Sequence, residues 1–475
     1  MKEEEYIDSR IRDRSWYRTR RLSGVISAGL FILVAVISAL ACIGYPAFAK
    51  TIHVPADSAT IQAGIDGTVH GDTVLVTDGI YTGEGNKNLD FLGKAIVVRS
   101  ENGPEVTVID CENYGRGFIF QNDEGNDSKL EGFTVLCGCG DYGGGILCEG
   151  SSPRINRCII KENFAHFGGG IFCLYSHAGF SQCVISDNRV HTGDAPEAAG
   201  GGLCSVNSSL SFFNCMIINN QAEASAWPPF QHWAWGGGLC CESATLTNCT
   251  LSRNSASAAP GGIYCQGSTD ILNCILWQNS GGEIGLDYDG DAIVRHSNIQ
   301  GGWPGEGNID IDPLFRDPEN GDYHLMVIEC GDSLDSPCID AGDPVILDDV
   351  LDCWHGLGTS RSDMGTFGGA NAGWPTAVEE KGENASVPAK FQLFQNYPNP
   401  FNSETLLRFH LANSDRIKII VYNVLGQELH ILLEGFREAG EHRVIWDASG
   451  FPSGIYFARL ETEEYSQTIK MVMLR

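Results

Sequence analysis

Five near-copies of one short segment occupy the middle of the chain and constrain its fold more than any other feature. Each copy joins a glycine run to an apolar stretch: Gly143–Cys148, Gly168–Cys173, Gly200–Ser205, Gly236–Cys241 and, in shortened form, Gly261–Cys265. A cysteine follows each copy, and an asparagine lies five residues beyond that cysteine. The cysteines are Cys158, Cys183, Cys215, Cys249 and Cys274, and the asparagines are Asn163, Asn188, Asn220, Asn254 and Asn279. The glycine run, the cysteine and the asparagine recur in constant order, which indicates one structural unit stacked on itself.

The unit has the period of β-strands. Its apolar stretches alternate, as in Ile146-x-Cys148, and Gly, Asn and Ser clusters separate them. The shortest interval, from Cys158 to Cys183, is 25 residues and holds no stretch that is periodic enough for a helix. A leucine-rich repeat would need leucines at several fixed positions, which this chain lacks. The pattern therefore predicts a parallel β-helix with three strands per coil and coils about 4.8 Å apart.

The five asparagines are predicted to form a structural ladder. In register, each side-chain amide donates to one neighbour and accepts from the other, and asparagine also tolerates the left-handed backbone of a tight turn. We interpret them as structural rather than catalytic residues.

The cysteines are predicted to form mainly buried thiols. The chain has 18, and the loss of Cys42 with the N-terminal segment leaves an odd number, so they cannot all pair. A small side chain suits a narrow core, while some disulfides between adjacent coils remain open. The close pairs Cys137-x-Cys139 and Cys240-Cys241 lack zinc-ligand spacing.

Residues 1–49 have the pattern of a signal peptide. Arginines precede an apolar run from Val25 to Ile43, and Ala47-Phe48-Ala49 fits a cleavage site. An uncleaved membrane anchor and a lipoprotein site at Cys42 remain alternatives. The chain carries 60 acidic and 31 basic residues, a net charge of −29. This balance argues against nucleic acid as a partner, because phosphate binding needs clustered Lys and Arg.

Motifs at both ends of the repeat carry a family resemblance. Thr60–Ala63, Gly71–Val74 and Gly79–Tyr81 resemble the opening of secreted right-handed parallel β-helix proteins of the pectate-lyase-like superfamily. Asn308–Phe315, Ser336–Pro344 and Asp363–Gly369 resemble the closing segments of that group, so the resemblance covers residues 50–372. It implies an all-β, right-handed solenoid. It does not fix an activity, because the group mixes lyases, hydrolases, epimerases and adhesins. Residues Ala59–Asp66 are predicted to form a helix that caps the open end of the sheets.

A linker at 373–390 separates this region from a second pattern at 391–475. Alternating segments such as Leu407-x-Phe409-x-Leu411 and Ile455-x-Phe457 predict a small antiparallel, Ig-like β-sandwich of about seven strands. The motifs Asn396–Asn402, Val421–Gly426 and Lys470–Leu474 resemble the type A C-terminal sorting domain of the bacterial type IX secretion system. The resemblance implies contact with that machinery, export to the cell surface or medium, and tethering to outer-membrane lipopolysaccharide as one outcome.

Binding is expected where two neighbouring coils carry longer insertions at the same turn. The interval from the cysteine to the next glycine run is 17 residues after Cys183 and 21 after Cys215, and such loops project side by side. Aromatic rings beside polar groups suit sugar rings. The candidate carbohydrate-binding residues are His166, Phe167, His191, Trp227, Phe230, His232, Trp233 and Trp235. The alternative is that these rings fold back and seal the side of the β-helix.

A catalytic set is not apparent from the sequence. The carboxylates nearest the insertions are Asp187, Asp194 and Glu197. Asp287, Asp289 and Asp291 form a candidate calcium loop by their count of oxygen ligands, with an ordinary Asp/Gly turn as the alternative. We therefore expect an exported β-helix that binds or processes polysaccharide, with calcium as its one candidate cofactor. The second hypothesis is a non-enzymatic, structural or adhesin-like surface protein.

Overall fold

A computed structural model describes the chain at 49–191, 197–224, 233–258, 260–348, 350–353, 355, 357–369, 392–393, 404–411, 415–424, 426–437, 440–448, 450–462 and 465–473. Most of the predicted signal peptide and all of the predicted linker lie outside these residues.

Three long parallel sheets form the walls of a β-helix, as the repeat predicts. Sheet 1 contains Thr51–Val54, Thr73–Val76, Val97–Ser100, Lys129–Glu131, Arg154–Asn156, Gly179–Ser181, Ser209–Phe213, Ser243–Thr247, Ser268–Leu272 and Asp291–Arg295. Sheet 2 contains Gly79–Tyr81, Thr107–Asp110, Thr134–Leu136, Ile159–Lys161, Val184–Ser186, Met216–Ile218, Thr250–Ser252, Ile275–Trp277 and Asn298–Ile299. Sheet 3 contains Leu89–Asp90, Phe118–Phe120, Ile146–Glu149, Ile171–Leu174, Leu203–Val206, Leu239–Cys241, Ile263–Cys265 and Ile284–Leu286.

The middle coils have more strands than the predicted three. Sheet 4 lies between sheets 2 and 3 along the chain and contains Phe164–Ala165, Arg189–His191, Gln221–Glu223 and Ser255–Ala256. The two longest insertions add one further parallel pair, Glu197–Ala199 with Trp233–Trp235. The C-terminal ends of the two insertions therefore pair side by side, as predicted from their position.

The core follows from the alternation of side chains along each strand. Equivalent residues of successive coils are register partners, as in Ile146 with Ile171 and Cys148 with Cys173, and all four are buried. Each coil alone has too little apolar surface to fold. Stacking lets every coil bury its inner face against the next, and a fully buried Ile or Phe contributes about 1.5–3 kcal/mol.

The predicted asparagine ladder is present. The Nδ2 of Asn188 donates to the Oδ1 of Asn220 (3.0 Å), and the Nδ2 of Asn220 donates to the Oδ1 of Asn254 (3.0 Å). Each Nδ2 also donates to a main-chain carbonyl, and the side chains of Asn188, Asn220 and Asn254 are fully buried. The ladder therefore holds one corner of the β-helix together by cross-coil hydrogen bonds.

The expectation that these asparagines take a left-handed backbone is wrong. The left-handed position is the residue before each of them: Glu162 (φ 56°), Asp187 (56°), Asn219 (56°), Arg253 (59°) and Gln278 (62°). The ladder asparagine must aim its side chain along the axis of the β-helix, so the preceding residue makes the turn.

The cysteine prediction holds for the main column. The side chains of Cys158, Cys183, Cys215, Cys249 and Cys274 are fully buried free thiols. Burial raises the pKa of Cys158 to about 12, which keeps the thiol protonated and unreactive. Cys330 and Cys353 form a disulfide, and the other cysteines of the described residues are free.

The predicted capping helix spans Ile61–Asp66. The Oγ1 of Thr60 accepts from the backbone N–H of Ala63 (3.3 Å), which caps its N-terminus. Ile61 and Ile65 are buried in the core of the β-helix.

Residues 315–369 form a closing segment. It begins with the antiparallel strands Phe315–Asp317 and Asp322–Leu325, followed by the 3-10 helix Ile328–Cys330. Its later part binds three corner asparagines, Asn214, Asn248 and Asn273, which precede the cysteines of the main column. The Nδ2 of Asn214 donates to the carbonyl oxygens of Thr366 and Gly368, both at 2.7 Å.

The C-terminal region has the predicted seven strands among its described residues. One sheet contains Gln392–Leu393, Glu404–Leu411 and Gly440–Asp447, and the other contains Glu428–Arg437, Asp415–Asn423, Gly454–Glu461 and Ser466–Met473. The residues that face its core in one strand were not those suggested by Ile455-x-Phe457. Tyr456, Ala458 and Leu460 are buried there, and Ile455 is exposed, because the larger apolar set of the strand decides which side faces inward.

Candidate functional site

The closing segment covers the outer surface of sheet 2 in the later coils. Met216, Ile218 and Ile275 point outward from sheet 2 and are buried in a cluster with residues of the closing segment. The members from that segment are Phe315, Tyr323, Leu325, Cys338, Met364 and Phe367. A ligand that lies on these coils therefore has to use another face.

An aromatic corner is present where the insertions join sheet 3. Tyr142, Phe167 and Trp235 each occupy the position immediately before the first glycine of a repeat copy. Tyr142 pairs with Phe167, Phe167 pairs with Ala199, and Ala199 pairs with Trp235, all in parallel register. One turn of four successive coils thus carries three aromatic side chains in line with the axis.

The rings of the aromatic corner stack on one another. The Tyr142 and Phe167 rings are 5.7 Å apart and inclined by 14°. The Trp235 ring stacks on Tyr264 of sheet 3 at 5.9 Å and 12°. All four side chains remain partly exposed. We define the aromatic corner as Tyr142, Phe167, Trp235 and Tyr264.

Part of the outer surface of sheet 3 next to this corner is buried. Phe172, whose ring is 5.0 Å from that of Tyr142, is 3% exposed. Cys204 and Cys240, on the following strands, are 3% and 1% exposed. A hydrogen bond with the Cys204 thiol, together with burial, raises the pKa of Cys240. The Tyr142 ring therefore packs against the buried Phe172, while the rings of the aromatic corner stay partly exposed.

Polar candidates surround the corner. The Nδ1 of His166 lies 3.9 Å from the Oδ1 of Asp141, and the His166 side chain is 41% exposed. His191 ends a strand of sheet 4 and is partly exposed. Glu197 pairs in register with Trp233. These polar residues thus belong to three successive coils, in the chain segments that precede the glycine runs.

Several predicted residues cannot be placed. Trp227, Phe230, His232 and Asp194 lie outside the described residues, and Trp233 is described by its backbone alone.

The candidate calcium loop is a surface turn. The backbone N–H of Gly290 donates to the carbonyl of Asp287 (3.0 Å), and the Asp287 carboxylate accepts from the N–H of Tyr288 (2.8 Å). Asp289 and Asp291 are exposed. Among the described residues, no group of three or more His, Cys, Asp or Glu side chains is arranged to hold a metal ion.

Two buried carboxyls have strongly perturbed acidity. Burial raises the pKa of Glu283 to about 7 and that of Asp363 to about 8. Glu283 accepts from the end of the asparagine ladder, and Asp363 accepts from the N–H of Asp340 (2.6 Å) within the closing segment. Both are held by structural hydrogen bonds.

Sequence reasoning missed Tyr142 and Tyr264 at the aromatic corner. The signal for Tyr142 was available, because it precedes Gly143 as Phe167 precedes Gly168. Tyr264 could not be identified from the sequence, because its role depends on which strand residues point outward next to Trp235.

Comparison with protein families decides the identity of the C-terminal region. Residues 395–474 match the family described as secretion system C-terminal sorting domain. This region is a type IX sorting domain. The protein is therefore exported to the cell surface or the extracellular space, and its sorting domain interacts with the type IX secretion machinery.

A comparison with curated proteins gave no match for the chain. Among the described residues, no helix combines the length and the apolarity that crossing a bilayer requires.

Proposed function

We propose that the exported β-helix binds polysaccharide along its aromatic corner. The observation that supports this most directly is the alignment of Tyr142, Phe167 and Trp235 at one turn, partly exposed and in line with the axis. Successive coils lie about 4.8 Å apart, so the corner offers a repeating apolar strip to an extended polymer.

The chemistry around the strip suits a sugar chain. The apolar faces of sugar rings contact aromatic carbon, and their hydroxyls need donors and acceptors at the rim. Asp141 and His166 supply such groups on two adjacent coils, and His191 and Glu197 lie on the coil after them. The sorting domain delivers this surface to the outside of the cell, where polysaccharide is available.

Binding is the core of the proposal, and cleavage is its extension. Hydrolysis needs two carboxyls that flank one glycosidic bond, and a lyase of this fold would use calcium, for which the Asp287 turn is the candidate. Attachment of the sorting domain to surface lipopolysaccharide is likewise an extension, which the family resemblance implies.

The test is retention of the purified chain in gels that contain one polysaccharide each, with and without calcium. We expect retention by at least one polysaccharide, and its loss in Phe167→Ala and Trp235→Ala. Phe213→Ala is the matched control, because Phe213 is a partly exposed aromatic residue on sheet 1. Unchanged retention in both corner variants, with intact folding, would refute the site. New reducing or unsaturated ends would show cleavage.

A structural or adhesin-like spacer is the second candidate. It is favoured by the closed hydrogen-bonded ladder and by the covered outer surface of sheet 2, which both serve rigidity. Absence of retention by every polysaccharide would favour this candidate.

A further inference from the structure

A groove at the N-terminal end of the β-helix lies apart from the residues of the aromatic corner. Its volume is about 730 Å³, within the range of ligand sites, roughly 300–1,000 Å³. The capping helix Ile61–Asp66 contributes Asp66, the turn after strand Gly79–Tyr81 contributes Glu84 and Lys87, and the next coil contributes Tyr114. The groove is thus built from well-separated parts of the sequence.

Tyr114 gives the groove an exposed aromatic platform. Its side chain is 76% exposed, and Leu92, which also lines the groove, is 49% exposed. The Nζ of Lys87 lies 5.7 Å from the centre of the Tyr114 ring. An exposed ring at the edge of a concave polar surface can stack against the apolar face of a sugar.

The polar wall of the groove is fixed by hydrogen bonds. Gln62 donates to the Oδ1 of Asp66 (3.0 Å) and accepts from the N–H of Asp90 (2.9 Å). The Asp90 carboxylate accepts from Asn122 (2.9 Å) and Gln121 (3.0 Å). A wall that is ordered before binding loses little entropy when a ligand docks.

The charge of the groove selects against anionic ligands. Three carboxylates line it, those of Asp66, Glu84 and Asp90. The one lining ammonium group, Lys87, already pairs with Glu112 at 2.8 Å. The local potential is therefore negative, in a chain with a net charge of −29. A uronate or sulfated sugar would place like charges together, which costs affinity.

We infer that this groove binds an uncharged sugar unit of the polysaccharide, with Tyr114 stacking on its ring and the carboxylates accepting from its hydroxyls. The inference rests on the proposed function and adds a second subsite with a stated selectivity. A polymer that reaches this groove is neutral at the units bound here.

The experiment is calorimetric titration of the full chain with cellohexaose, mannohexaose and hexagalacturonate. We expect one of the neutral probes to bind and hexagalacturonate to bind at least about tenfold more weakly. Tyr114→Ala weakens neutral binding about tenfold, and Tyr114→Phe, which keeps the ring, retains it. Tyr175→Ala is the control, since Tyr175 is also exposed (57%) but lies outside the groove. Glu84→Lys raises the affinity for hexagalacturonate.

The outcomes separate this inference from the proposed function. The proposal for the groove is refuted if wild type and Tyr114→Ala bind equally, or if wild type prefers hexagalacturonate. Failure of both neutral probes to bind also refutes the groove. If the chain is nevertheless retained in polysaccharide gels, the aromatic corner remains the proposed binding site. Loss of binding in Tyr114→Ala but not in Trp235→Ala supports the groove as a binding site that works independently of the aromatic corner.

Discussion

The side-chain amide of Asn279 donates to the carboxylate of Glu283, and so ends the asparagine ladder on an acid. The backbone N–H of Asn279 donates to the same carboxylate at 3.1 Å. Every earlier ladder member passes its hydrogen bond to another amide, so Glu283 takes the place of the next asparagine. It is 6% exposed, which makes the end of the ladder sensitive to protonation.

Replacement of Glu283 tests this sensitivity. Burial raises its pKa from 4.5 to about 7, so the folded state holds the proton more tightly than the unfolded state. The free energy of unfolding therefore falls as pH rises between these two values, by on the order of 3 kcal/mol. Glu283→Gln should reduce this decline in denaturant titrations at pH 5 and pH 8. Part of the decline remains, because Asp363 acts in the same direction.

Glu101→Gln is the control for that comparison, since Glu101 is exposed. An equal pH dependence in wild type and Glu283→Gln would contradict the assignment.

A ladder amide in the interior should be costly to remove. The Oδ1 of Asn220 accepts from the N–H and the Nδ2 of Asn188, and its Nδ2 donates to Ile185 and Asn254. Asn220→Ala removes these four buried hydrogen bonds, and the Oδ1 of Asn254 keeps only the bond from the backbone N–H of residue 220. We therefore expect a loss of about 3 kcal/mol or more in the free energy of unfolding. Asn102→Ala removes one exposed hydrogen bond, to Asp78, and should cost less than about 1 kcal/mol. Similar losses for both would argue against the ladder.

The corner asparagines should control docking of the closing segment. Asn214 has φ 49°, which glycine tolerates, so Asn214→Gly removes the amide without backbone strain. We expect faster limited proteolysis within residues 338–369. Asn207 also has φ 49° but is exposed, and Asn207→Gly should leave the rate unchanged. Equal rates in the two variants would show that these hydrogen bonds do not hold the segment.

Alkylation mapping tests the cysteine assignment. Denaturation without reduction should allow alkylation of Cys158, Cys183, Cys215, Cys249 and Cys274, and should leave Cys330 and Cys353 joined. Recovery of a peptide in which Cys183 is bridged to Cys215 would contradict the column of free thiols.

Much of the β-helix could be predicted because its information is local and repeated. The spacing of Asn188, Asn220 and Asn254 predicted a cross-coil ladder without any known contact. Identical amide side chains in register can each bond to the equivalent amide of the next coil. The left-handed turn residues were harder to predict. Glu162 and Arg253 occupy such positions although neither is a usual turn former, because the stacked coils override local preference.

The aromatic corner was predicted in part, and the groove at Tyr114 was not. Trp235 was recognisable from its insertion, and Phe167 from the same turn of an earlier coil. Tyr114 carries no repeat mark, and its partners in the groove come from the capping helix and from another coil. A groove of this kind forms only when the chain has folded, so no local sequence pattern predicts it.

The amino-acid sequence by itself determined the coil, its inward thiols and amides, and the sorting domain, because each is written in short periodic or contiguous motifs. The tertiary structure decided which walls of the β-helix stay open. That depends on contacts such as Asn214 with Thr366, which lie 152 residues apart. Spacing along a chain does not encode where a distant segment packs, since packing is set by surfaces that form only when the coils have stacked.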